Sequence, residues 1–165
     1  MKIGIVSDTH MPSRGKVIPD ALIQGLKDVE LILHLGDWTQ TEVIRAFEQL
    51  APIDSVAGNN DGEEIIARFG RKKILNLGGF QIGMVHGDGM RKTTEARAWE
   101  AFKEEKTDVI LFGHSHVPFL MKHEGVILFN PGSPTDKRRQ PRYSYGILTL
   151  TDTIKAEHFY YDDKS

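Results

Sequence analysis

At 165 residues the chain is long enough to bury one hydrophobic core, and 39% hydrophobic with 27% charged residues is the balance of an ordinary soluble globular protein. A formal net charge of −2 supplies no basic field to recruit nucleic acid or an acidic membrane surface, and the absence of cysteine excludes disulfides and thiolate metal sites. One domain over residues 1–165 is expected. No apolar run approaches the ~20 residues that span a bilayer, and Met1-Lys2-Ile3-Gly4-Ile5-Val6 meets Ser7-Asp8 too early for a secretory leader. The expected location is therefore the cytoplasm, with no membrane partner and no stable nucleic-acid complex.

In chain order, residues 2–7 form a short apolar strand that ends at Ser7-Asp8-Thr9-His10. A helix begins around Pro19, with Ala21, Leu22, Ile23 and Leu26 on its buried side. Residues 29–35 form a second buried strand that ends at Gly36-Asp37. Thr39 or Thr41 is expected to cap the next helix, whose apolar stripe is Val43, Ile44, Phe47 and Leu50. Pro52 stops it, and residues 53–57 form a third strand that ends in Gly58-Asn59-Asn60-Asp61. Alternating strands and helices predict parallel βαβ units with right-handed crossovers.

The rhythm then changes. Residues 73–77 and 80–85 flank Gly78-Gly79 as a hairpin, and the second strand ends at His86-Gly87-Asp88-Gly89. A helix over roughly 94–105, capped by Thr93 or Thr94, turns Ala98, Trp99 and Phe102 inward. The run Asp108 to Phe112 is a further buried strand, closed by Gly113-His114-Ser115-His116. Residues 119–122 and 126–129 form another hairpin, which leads into Asn130-Pro131-Gly132-Ser133. Strands over 143–150 and 153–161 complete the chain.

A single His-x-His is a weak signal. Here, however, five strands end on metal-ligand residue types: Asp8 and His10, Asp37, Asn59, His86, and His114 with His116. Residues placed by chance would scatter over helices and surfaces as well. Carboxylate and imidazole without thiol is ligand chemistry for Mn²⁺, Fe, Ni²⁺ or Zn²⁺ rather than for an all-oxygen Ca²⁺ or Mg²⁺ cage.

The motifs Asp8-x-His10, Gly36-Asp37, Gly58-Asn59-Asn60-Asp61, His86-Gly87 and Gly113-His114-Ser115-His116 occur in the order seen in the calcineurin-like metallophosphoesterases, and the sequence resembles that family over essentially its whole length. Its small size, the Gly-Asn-x-Asp form and Asn130-Pro131-Gly132-Ser133 resemble the compact YfcE-type phosphodiesterases. The resemblance implies an α/β fold, a two-sheet β sandwich flanked by helices in αββα layers, with two divalent metal ions, manganese foremost and nickel, iron or zinc as alternatives. One metal would take Asp8, His10, Asp37 and His116, and the other Asp37, Asn59, His86 and His114, with Asp37 bridging. Two dications facing two carboxylates and a shared hydroxide leave the centre net positive, as an anionic phosphate requires. Metals ~3.5–4 Å apart acidify a shared water. The expected reaction is in-line attack by that hydroxide on phosphorus, without a covalent enzyme intermediate.

In many phosphatases of this superfamily a histidine follows the ligand asparagine and serves as general acid; here the position is Asn60, which delivers no proton. A general acid contributes ~10²–10⁴-fold, so its lack favours phosphodiesters with stable leaving groups over unactivated monoesters. Catalytic roles therefore fall to Asp37, Asn60, Asp61 and His86, with Asp61 orienting Asn60 or a ligand histidine, or else acting as a plain turn residue. Substrate contacts are expected from Asn60, Arg139 and Arg142, and less so from Arg14 and Lys16. His34 reads as a buried supporting histidine, and His123 and His158 as surface residues. Asp88 reads as a turn residue or a histidine partner. Trp38 would line the cleft or be buried, Trp99 would be core or interface, and Asn130 and Ser133 would shape their loop. The expected partner is a small phosphodiester or nucleotide-type substrate, and a homodimer fits the family. Rival readings are a phosphomonoesterase on the same site and a non-catalytic scaffold like the retromer subunit of this fold.

Overall fold

A computed structural model describes residues 1–165. The elements are β1 (Lys2–Val6), α1 (Asp20–Gly25), β2 (Leu31–His34), α2 (Thr41–Glu48), β3 (Ile53–Ser55), α3 (Glu63–Phe69), β4 (Lys72–Leu77) and β5 (Phe80–Val85). They continue with α4 (Thr94–Ala101), β6 (Val109–Leu111), β7 (Phe119–His123), β8 (Val126–Asn130), β9 (Tyr143–Leu150) and β10 (Ile154–Tyr161). Two five-stranded mixed sheets result, ordered β10-β9-β1-β2-β3 and β4-β5-β6-β8-β7. In the first, β1, β2 and β3 run parallel, with Ile5 opposite Leu33, as the alternating strands and helices predict. In the second, β5, β6 and β8 run parallel.

The period of two along each strand separates two faces. Ile3, Ile5, Leu33 and Val56 from the first sheet meet Ile82, Met84, Val109, Leu111 and Phe129 from the second in a buried layer between them. On the outer face of the first sheet, Val6 and Ile32 pack against Leu22 and Leu26 of the α1 segment, Val43, Ile44 and Phe47 of α2, and Ile65 and Phe69 of α3. On the outer face of the second, Ile110, Phe112 and Leu128 lie under Ala98 and Phe102 of the α4 segment. Each of these Val, Leu, Ile, Met and Phe side chains contributes about 1.5–3 kcal/mol through its removal from water. The layers are α, β, β, α. No helix is long and apolar enough to cross a membrane.

Several local expectations change. Neither Thr39 nor Thr41 caps α2: Gln40 occupies the N-cap without a side-chain bond, and the Thr39 hydroxyl donates instead to the Met11 carbonyl at 2.5 Å. Thr93 does cap α4, accepting from the Ala96 amide at 3.2 Å. That helix ends at Ala101 rather than near 105, because the chain leaves helical geometry at Phe102 to lay its ring in the space left by Gly83. The helix α3 is not among the elements that the sequence pattern predicts. Its cues are modest: Glu63 and Glu64 in the first turn, Ile65 and Phe69 four apart, and Gly70 at the C-terminus with φ of 73°.

Candidate metal centre

The loops after β1, β2, β3, β5 and β6 meet at one end of the sandwich. To turn side chains there, the backbone adopts conformations that L-residues rarely occupy. Six of the ten non-glycine residues with positive φ are here: Asp8 (57°), His10 (44°), Asp37 (65°), Thr39 (76°), His114 (70°) and His116 (63°). Such strain persists only where surrounding structure imposes it, and it concentrates at functional sites. Gly36, at φ 106°, permits a close approach: a Cβ there would stand 2.6 Å from the Gly58 amide nitrogen and 2.8 Å from His86 Nδ1.

The side chains converge on Asp8 Oδ1. His10 Nε2 lies 3.8 Å from it, His86 Nε2 3.7 Å and His116 Nε2 3.6 Å. All four atoms are buried and have no hydrogen-bond partner. Asp37 Oδ2 stands 3.3 Å from both His10 Nε2 and His86 Nε2, between the two histidines. Two groups have ligand atoms close enough to share one ion: Asp8, His10 and His116, and Asp8, Asp37 and His86. Asn59 and His114 stand together at the rim, Asn59 Oδ1 3.2 Å from His114 Nδ1, with the His114 ring 5.2 Å from that of His86.

The far side of each ligand is tied down. His86 Nδ1–H donates to the Leu35 carbonyl at 2.7 Å, and His116 Nδ1–H donates to the Asp136 carbonyl at 2.5 Å. Since a carbonyl only accepts, both rings carry a proton on Nδ1 and turn Nε2, the nitrogen a metal would take, toward the carboxylates. The second Asp8 oxygen accepts from the Ser7 hydroxyl at 2.6 Å and the His114 amide at 2.9 Å. Asp37 accepts the Asn60 amide at Oδ1 (2.9 Å) and the Asn60 side chain at Oδ2 (3.0 Å).

Burial by itself would raise the Asp8 and Asp37 carboxyls, but the histidines around Asp8, and His86 with Asn60 beside Asp37, outweigh it and hold both below the usual range. Burial disfavours the His86 cation, yet Asp8 and Asp37 outweigh it and raise His86 to about 9. Burial lowers His114 and His116, which keeps their lone pairs free. Without a metal ion, buried nitrogen and oxygen atoms stand less than 4 Å apart without a hydrogen-bond partner, and a proton on His86 relieves only part of that cost. A divalent ion removes that cost, so the donor set fits one.

Asp61 holds neither Asn60 nor a ligand histidine. It accepts backbone N–H groups from Asp37 (2.8 Å), Thr39 (2.8 Å) and Gly58 (2.7 Å), and so fastens the Asp37 loop to the Asn59 loop. His34 is fully buried, as expected, and links the Asp8 and Asp37 loops: it accepts from the Gly36 amide and pairs with the Thr9 hydroxyl. Trp38 does not line the cleft; it is buried, stacked on His34 at 3.6 Å, and bonded to Ser55. Arg142 turns its guanidinium over the Tyr160 ring, 4.9 Å from its centre. Arg139 lines a small cavity with Ser115, and Asp88 is exposed. Arg14 pairs with Asp136 at 3.6 Å, and Lys16 is exposed.

His123 is exposed, but His158 is not the surface residue expected: its ring stacks on Phe129 and its Nε2–H donates to the Asn130 carbonyl at 2.7 Å. Trp99 is half-buried against His123. No sequence pattern marks Ser7, the Leu35 and Asp136 carbonyls or the reach of the Asn130 loop as parts of the site. Ser133 donates to the Asp8 carbonyl and Thr135 to the Thr9 carbonyl.

The sequence matches the calcineurin-like phosphoesterase superfamily domain over residues 1–153. It is 38% identical over 138 residues to a protein of Methanothermobacter thermautotrophicus described as a probable metallophosphoesterase, covering 84% of this chain and 80% of that one. To a phosphodiesterase of Methanocaldococcus jannaschii it is 32% identical over 174 residues, covering 96% of each. The Vps29 structure of Chaetomium thermophilum superposes with a TM-score of 0.80 and 98% coverage of both chains, a likeness that at 17% identity is one of fold. The strand-end ligands, the αββα layers and these relatives together place the chain in the calcineurin-like phosphoesterase superfamily.

Proposed function

We propose that the protein is a phosphodiesterase acting on small or nucleotide-type diesters with two divalent ions, manganese foremost. Asp8, His10, Asp37 and His116 would hold one ion, and Asp37, Asn59, His86 and His114 the other. The observation that carries this reading is the cluster of four buried, unpartnered ligand atoms around Asp8 Oδ1. A scaffold protein has no use for so costly an arrangement. When bound, the ions neutralise phosphate charge and acidify a water for in-line displacement at phosphorus.

The chain's own residues set what the site can do. His86 and His116, locked by carbonyls at Nδ1, present fixed lone pairs and take no proton from substrate. Asn60 is exposed beside Asp37, where its amide donates hydrogen bonds but delivers no proton to a leaving oxygen. That favours diesters with stable leaving groups, in keeping with the phosphodiesterase among the relatives.

The test is turnover of bis-p-nitrophenyl phosphate against p-nitrophenyl phosphate by the Mn²⁺-loaded protein, with His86→Ala as control. Expected is faster turnover of the diester, with the variant down by more than about a hundredfold. A clear monoester preference would replace this reading with a phosphatase.

A further inference from the structure

Beside the metal centre lies a cavity of about 270 Å³ that none of the metal ligands lines; its walls are Ser115, Val117, Lys137, Arg138, Arg139 and Gln140. Ser115 sits between His114 and His116, so the cavity begins where the metal ligands end. Its chemistry is cationic. Arg139 has no acidic or hydrogen-bonding partner, and Arg138 shares the Asp136 carboxylate at 3.9 Å with Arg14 at 3.6 Å. Lys137 is turned toward the Pro141 carbonyl and the Tyr143 ring. The cavity has no aromatic wall on which a base could stack.

Ser115 adds a directed donor. Asn130 Oδ1 accepts from the Gly132 amide at 2.9 Å, which fixes the orientation of the Asn130 amide. Its Nδ2 therefore donates to Ser115 Oγ at 3.0 Å, and the Val117 amide donates to the same oxygen at 3.2 Å. With both lone pairs engaged, the Ser115 hydroxyl can only donate its own hydrogen, and no protein acceptor takes it. A donor-only hydroxyl and an unpaired guanidinium on one small cavity form a receptor for an anionic group. At this volume it is below the ~300–1,000 Å³ of whole-ligand sites, so it fits one group of a larger substrate.

Resting on the phosphodiesterase reading above, we propose that this cavity binds a second phosphate of the substrate, through Arg139, Arg138 and the Ser115 hydroxyl, while the diester lies at the metal centre. The enzyme then prefers phosphodiesters that carry a further phosphate over those that do not.

Two measurements test this. The first compares kcat/KM for thymidine 5′-(p-nitrophenyl phosphate) with that for its 3′-phosphorylated form. The ratio is taken within each protein, so that any general loss cancels. Wild type should favour the 3′-phosphorylated ester by about tenfold or more, mainly through KM, as expected of hydrogen bonds to a charged group. Arg139→Gln and Ser115→Ala should bring that ratio toward unity, and Ser115→Thr, which keeps the hydroxyl, should retain it. The second titrates inorganic pyrophosphate into the metal-free protein and follows backbone amide NMR shifts. Residues 115 and 137–140 should move in wild type and not in Arg139→Gln. If the protein hydrolyses diesters but the ratio is the same in wild type and variants, the second-phosphate site is wrong and the phosphodiesterase reading stands. If no diester is hydrolysed, both fall.

Discussion

His34 and Asp61 show how single buried polar groups hold the centre without touching substrate. His34 is kept neutral: burial lowers it from 6.5 to about 3, because neither Asp8 nor Asp37 offsets the lost hydration. Above pH 6.5 both folded and unfolded chains carry it uncharged. As pH falls from 6.5 toward 3, only the unfolded chain takes the proton, so stability is lost across that window at up to about 1.4 kcal/mol per pH unit. Urea unfolding of His34→Gln should therefore show a shallower fall in stability below pH 6.5 than wild type; parallel curves would disprove the assignment. Asp61 accepts three backbone N–H groups in the Asp37 and Asn59 loops. Asp61→Ala would leave them unpaired and should cost about 2–4 kcal/mol, read as a lower urea midpoint, with weaker metal binding alongside. At this scale the ligand types were legible, because Asp8, His10, Asp37, Asn59, His86, His114 and His116 each follow an apolar run. The Leu35 and Asp136 carbonyls that orient the histidines were not, since every residue carries a carbonyl.

Elements form where local pattern and tertiary demand agree. The helix α4 begins at Thr93 because its hydroxyl takes the Ala96 amide, one of the first-turn donors without a helical partner. Thr93→Ala should cost about 1 kcal/mol of unfolding free energy, while Thr41→Ala, outside any capping bond, should cost less in the same urea assay. Thr39 is the instructive exception. Its sequence position suits a cap, but at φ 76° its hydroxyl reaches the Met11 carbonyl and joins the β1 loop to the β2 loop. Local propensity named two suitable residues there, and a long-range bond chose a third arrangement. Helix α3 shows the opposite limit: its buried apolar residues are only Ile65 and Phe69, too sparse a stripe for a periodic signal to stand out.

At the scale of the molecule, the centre is a joint between the two sheets. Asp8, His10, Asp37 and Asn59 follow strands of the first sheet, whereas His86, His114 and His116 follow strands of the second. An ion bound by both sides binds only the folded chain and stabilises it by mass action, about 2.7 kcal/mol per site at a hundred times Kd. Adding Mn²⁺ should raise Tm in a concentration-dependent way, and chelation should reverse it. In the metal-free chain His86 is raised from 6.5 to about 9, so the stability it contributes is full below 6.5 and lost as pH rises through 9. The ion competes for the same nitrogen with that proton and binds better as pH rises over the same range. The Tm gap between loaded and chelated protein should thus widen from pH 6.5 to 9; a constant or narrowing gap would argue against His86 as a ligand.

By itself, the sequence determined where the strands end and which residue types stand there. Apolar runs of period two, and glycines at their ends, act over a few residues and need no fold to be read. It also determined the parallel order of β1, β2 and β3, because each crossover helix leaves one handed solution. Tertiary structure alone decided the rest. The pairing of β9 with β1 and of β8 with β6 joins residues far apart in the chain, and it brings the Asn130 to Asp136 loop onto Asp8, Thr9 and His116. Hydrogen bonds set by that docking orient His116 and supply Asn130 Nδ2 to the Ser115 hydroxyl beside the metal centre, where the local Val117 amide takes its other lone pair. Such contacts depend on which backbones meet, and no local pattern in the chain encodes that.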